Sequence, residues 1–179
     1  MLIPRPLSKC TGECLLRLYA HFISIYTPQL TGIFISPNNL FLSQWKSPEE
    51  QVGPDGTAIG ELTEKVDIYA LGNLFFRFAT DKSPWREIAD DSHAKLTPEQ
   101  KASIAHAKVN EGKMPMVPDE TLKLKNPYID VLLEAMEMCY RFKPEDRPTA
   151  RQVAEFLEKR KKEVDDSLVE FGRYPKQMK

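Results

Sequence analysis

A chain of 179 residues has room for one domain, or one domain and a tail, and a domain of that size buries about 70% of the surface its open chain exposes. With 25 Lys+Arg against 26 Asp+Glu and a pI near 6.3, no excess of positive charge is present to hold nucleic acid or an anionic membrane, so neither is expected as a partner. Cys10, Cys14 and Cys139 are too few and too uneven for a disulfide framework, which points to a reducing compartment.

The N-terminal stretch MLIPRPLSKCTGECLLRLYAHFISIYTPQL is interrupted by Arg17, His21 and Pro28, well short of the roughly 20 apolar residues that span a bilayer. No small-residue cleavage site follows an apolar core, so no signal peptide is read and cytoplasmic or nuclear residence is expected. Cys10 and Cys14 with His21 admit a metal-ligand reading, but the lack of a second pair favours plain thiols.

Residues 51–60, QVGPDGTAIG, read as a turn-rich loop. The first helix follows, from about Glu64 to Thr80, stopped by Pro84. Between Val66 and Ala79 its polar side chains are Asp67, Asn73 and Arg77, so it is apolar on nearly every face and has to be buried on nearly every face. A second helix starts at LTPEQ, where Thr97 caps, Pro98 takes the first helical position and Gln100 completes a capping box; it ends near Asn110, with Gly112 beyond.

The third helix covers about Asn126 to Arg141, with Ile129, Leu132, Leu133, Met136 and Tyr140 on one face. The fourth opens at Thr149 with Gln152 as box partner and buries Ala150, Val153, Ala154 and Leu157. It ends in EKRKKE, whose cations suit a C-terminal dipole. VDDSLVEFGRYPKQMK reads as a tail, and no strand pattern demands a large sheet.

In this order the features resemble the C-terminal lobe of eukaryotic protein kinases. WKSPEE at 45–50 looks like the Ala-Pro-Glu motif that closes the activation segment, with Ser47 for the alanine. KVDIYALGNLFFRFATDKSPW resembles the lobe's central helix and the turn ending at Trp85. VNEGKMPMVPD resembles the helix end and Pro-rich loop that follow, and CYRFKPEDRPTARQVAEFL the Arg-Pro-Thr junction into the last helix. The likeness is carried by residues 45–160.

The resemblance implies a mainly α fold: a helical C-terminal lobe without the β-rich N-terminal lobe. The chain divides into an extension at 1–13, the lobe at 14–163 and a tail at 164–179. By the resemblance, Asp67 matches an aspartate that accepts backbone N–H groups of the catalytic loop, and Glu49 matches a glutamate that pairs with Arg147. A guanidinium takes a carboxylate in two parallel bonds, as lysine cannot. The groove near Trp85 and the Thr97 helix corresponds to a surface where family members receive substrates.

The parts that transfer phosphate are the ones this sequence departs from. There is no Gly-x-Gly-x-x-Gly loop, no strand lysine of the Val-Ala-Ile-Lys kind and no Asp-Phe-Gly. Gly53, Gly56 and Gly60 read as loop punctuation. GIFISPNNLFL at 32–42 can be laid on the catalytic-loop pattern with Pro37 and Asn39 in place, but Gly32 and Ile33 replace the His-Arg pair and Phe34 stands for the catalytic aspartate. Phenylalanine accepts no proton. Asn39 alone makes a poor magnesium site, and Asn38 and Asn39 suit a turn. Residues 40–46 leave little room for an activation loop.

The expectation is therefore an incomplete, catalytically inactive, pseudokinase-like module with no catalytic, cofactor-binding or metal-ligating residues of its own. ATP and Mg are implied only for a complete family member. A protein partner is the expected ligand. Two alternatives stand beside it: a fragment or mis-assembled product of a working serine/threonine kinase, and a helical scaffold whose kinase likeness is accidental.

Overall fold

The apolar helix that follows the turn-rich loop is buried along most of its length. The computed structural model describes residues 44–53, 56–88 and 96–170, and helix α1 (Lys65–Thr80) leaves only Ala70 and Arg77 exposed. Its end comes at Asp81, before Pro84: Asp81 turns left-handed at φ 56° and donates its N–H to the Arg77 carbonyl. A left-handed residue here satisfies a carbonyl that the helix itself cannot.

Four further helices follow among the described residues: α2 (Pro98–Val109), the single turn α3 (Asp119–Leu122), α4 (Pro127–Cys139) and α5 (Ala150–Glu170), with a 3-10 turn at Pro144–Asp146. Among the described residues the only extended pairing outside helices is one isolated bridge, Val52 to Ala58. The class is mainly α.

The capping residues act as their types dictate. Thr97 Oγ1 accepts from Gln100 N at 3.2 Å and Gln100 Oε1 accepts from Thr97 N at 2.9 Å. The same reciprocal pair joins Thr149 and Gln152 at 2.8 and 3.2 Å. Asn126 caps α4 through Tyr128 N at 3.0 Å. Each box satisfies two N–H groups that a helix start leaves open.

Helix α4 lies between α1 and α5. One cluster joins Ile68, Tyr69, Phe75 and Phe76 of α1 to Val131, Leu132, Ala135 and Met136 of α4 and to Val153, Leu157 and Val164 of α5. Gly72 sets the closeness of α1 to α4, since a Cβ there would lie 3.1 Å from Cys139 Cβ and 3.3 Å from the Tyr140 ring.

The basic run does not end the last helix, and residues 164–170 of the expected tail continue it. Val164 is buried in the main cluster, and Tyr128 Oη donates to Asp165 Oδ1 at 2.7 Å. Arg160 forks onto Glu134 of α4 at 3.0 and 2.8 Å. These tertiary contacts keep the chain helical past the point where its own charge pattern suggests a stop.

Candidate functional site

Arg147 leaves the 3-10 turn toward the N-terminal end of α1 and is 2% exposed. Its Nη1 donates to Glu49 Oε2 at 3.0 Å and its Nη2 to Glu49 Oε1 at 2.7 Å. Nε donates to the Arg141 carbonyl at 2.8 Å, Nη1 to that of Lys65 at 3.0 Å and Nη2 to that of Phe142 at 3.1 Å. Every N–H of the guanidinium is therefore used. Its plane lies over Tyr69, 5.1 Å from the ring centroid. Lys65 Nζ returns the link, donating to the Arg147 carbonyl at 2.8 Å.

Gly60 closes the other side of Glu49, where a Cβ would meet Glu49 Cβ at 3.0 Å and would need that side chain to shift by a few tenths of an ångström. The loop glycines behave as punctuation: Gly56 sits at φ 80° and donates its N–H to the Gly53 carbonyl at 3.0 Å.

The strip leading to Glu49 has no secondary structure of its own and is held carbonyl by carbonyl. Lys108 Nζ donates to Gln44 O at 2.8 Å and to Lys46 O at 2.6 Å, while Asn73 Nδ2 donates to Trp45 O at 2.7 Å. Asn73 Oδ1 in turn accepts from Tyr140 Oη at 2.7 Å. Ser47 is fully buried, and its hydroxyl finds no hydrogen-bond partner among the described residues. Asn73 was visible in the sequence as an amide on an otherwise apolar helix, whereas nothing in HAKVNEG singles out Lys108.

Asp67 stands near Glu50, and burial, followed by that like charge, raises its carboxyl pKa above the ordinary value. The backbone donors that the kinase likeness assigns to Asp67 belong to residues 32–42. That segment lies outside the described residues, as do Phe34, Asn39, Cys10, Cys14 and His21. Among the described residues no cluster of three His, Cys, Asp or Glu side chains is placed to hold a metal ion.

Trp85 forms a second, smaller cluster with Ile104 and Ala107. It is 1% exposed, its φ is 64°, and its indole N–H has no hydrogen-bond partner among the described residues. A left-handed backbone at a bulky residue costs on the order of 1–3 kcal/mol and is retained where the surroundings over-determine it. Beside it runs an open groove of about 760 Å³, walled by Trp85, Ile88, Ala102, Ala107, Met114 and Met116. Met116 is 64% exposed, and its N–H is held by Glu87 Oε1 at 2.9 Å.

No family model, no curated protein and no solved structure matches the chain. Among the described residues no helix is long and apolar enough to cross a membrane.

Proposed function

We propose that the chain is a protein-kinase-like C-terminal lobe, catalytically silent on the residues it carries, that binds a protein partner through the groove between Trp85 and α2. The observation that carries this reading is the pair Glu49–Arg147, buried, two-pronged and closed between segments 98 residues apart. The kinase likeness assigns partnership to those two residues. The order of the neighbouring parts supports it too, with a buried central helix after the glutamate and a capped last helix after the arginine.

Silence follows from Phe34 in the place of a catalytic carboxylate, since no side chain there takes the proton of an attacking hydroxyl. The groove supplies what a binding module needs: apolar walls with the flexible thioethers of Met114 and Met116, which adapt to a partner's shape. The expected ligand is an apolar segment of another protein.

Thermal unfolding with and without ATP–Mg, together with a labelled-phosphate transfer assay, tests the first half. The expected result is no shift in melting temperature and no transfer; transfer to any protein would favour the working-kinase alternative instead. For the second half, proteins captured by the chain in cells are compared between Met116→Glu and Leu124→Glu. Leu124 is similarly exposed, at 60%, and does not line the groove. Capture lost only with Met116→Glu supports the groove, and capture indifferent to it removes the groove from the proposal.

A further inference from the structure

The described thioethers are unevenly placed. Met136 is 2% exposed in the main cluster and Met138 is half-buried on the same helix, whereas Met114 is 42% and Met116 64% exposed, and both of these wall the groove beside Trp85. The backbone that carries them is anchored. Pro115 between them is buried, Lys113 N donates to the Ala107 carbonyl at 3.0 Å, and Met116 N donates to Glu87 Oε1 at 2.9 Å. The two sulfurs are thus held at the groove and open to water at once.

Other groups that an oxidant could reach first are shielded. Trp85, in the same wall, is 1% exposed. Cys139 is buried, and the loss of water pushes its thiol up to about 12, which leaves almost no thiolate, the form that reacts with peroxide. An oxidant arriving from solvent meets Met114 and Met116 before either.

We propose that Met114 and Met116 form a reversible oxidation site, at which a peroxide converts the thioethers to sulfoxides and makes the groove unfit for an apolar partner. The proposal rests on the reading of this groove as a partner site.

The step needs only hydrogen peroxide. A sulfur lone pair attacks one peroxide oxygen, an S–O bond forms as the O–O bond breaks, and the second oxygen leaves as water after taking the proton of the first. Sulfur gives up an electron pair and the peroxide gains it. Methionine sulfoxide reductases reverse the change, a thiol pair on the reductase becoming a disulfide while the oxygen leaves as water. The sulfoxide oxygen is a hydrogen-bond acceptor on what was a soft apolar side chain. An apolar partner laid over it strips its water and supplies no donor in exchange, which weakens binding by about tenfold or more.

Two measurements on the full chain test the site. Peptide mapping by mass spectrometry after brief treatment with dilute hydrogen peroxide is expected to find sulfoxide on Met114 and Met116 before Met138 and Met136; oxidation of Met138 or Met136 first overturns the proposal. The second follows a neutral apolar dye, Nile red, on the untreated chain, after peroxide, and after both methionine sulfoxide reductases with dithiothreitol. Dye held at the groove is lost in Met116→Glu and kept in Leu124→Glu. Peroxide is expected to weaken its binding by about tenfold, the reductases to restore it, and the chain carrying both Met114→Leu and Met116→Leu, which keeps the apolar volume, to be indifferent to peroxide. Dye held equally by Met116→Glu would overturn the groove reading and this proposal with it. Dye lost in Met116→Glu but unmoved by peroxide would overturn the oxidation site alone, as would an equal peroxide loss in the doubly substituted chain or a loss that the reductases leave in place.

Discussion

All five N–H groups of the Arg147 guanidinium have acceptors, two of them on Glu49 and three on backbone carbonyls. Removing the side chain leaves a buried carboxylate without its partner and takes one donor from each of three carbonyls. Arg147→Ala is therefore expected to cost about 3–5 kcal/mol in urea unfolding, and Arg147→Lys to recover little, because three rotatable donors cannot occupy five fixed directions. An unchanged urea midpoint for Arg147→Ala would falsify the clamp. Ser47 makes the opposite case. Its buried hydroxyl has no partner among the described residues, so Ser47→Ala is expected to be neutral or stabilising by up to about 1 kcal/mol. The Glu49–Arg147 pair was legible before the structure because a motif likeness names both ends. Lys108 was not legible. A lysine near the end of a helix reads as a solvated cation suiting the dipole, and only the positions of Gln44, Tyr69 and Trp85 reveal it as buried.

At the scale of elements, helix existence was readable from the capping boxes at Thr97 and Thr149 and from the apolar face of α4. Helix ends were less so, because they depend on neighbours: α5 runs to Glu170 on the strength of Val164 and Asp165 meeting α4. The short turn α3 and the 3-10 turn carry no periodicity long enough to read. Gly72 tests how tightly α1 and α4 are fitted. Alanine in a helix interior gains about 1 kcal/mol over glycine, but a Cβ at this position needs Cys139 and Tyr140 to withdraw. Cys139 Cβ is attached directly to the α4 backbone, and Tyr140 is fixed by its bond to Asn73. Overpacking of about 1–3 kcal/mol should therefore prevail. Gly72→Ala is expected to lower the melting temperature; a rise would mean that the α1–α4 contact yields more readily than its geometry implies.

At the scale of the whole molecule, the two apolar clusters among the described residues differ in kind. The main one ties α1 and α5 to α4 between them, whereas the Trp85 cluster holds α2 with three buried residues among those described. The smaller cluster also carries the costs: a left-handed tryptophan, an indole N–H without a partner among the described residues, and the desolvated amine of Lys108. Regions with few apolar contacts and unsatisfied groups open below the global unfolding free energy. Native-state hydrogen exchange should therefore show the amides of Ile104–Lys108 exchanging through a partial opening. Their protection should be at least about tenfold below that of Val131–Met136, with a smaller dependence on urea because less surface is uncovered. Equal protection and equal urea dependence in the two segments would mean that α2 unfolds only with the core. The groove would then be a fixed feature of the fold.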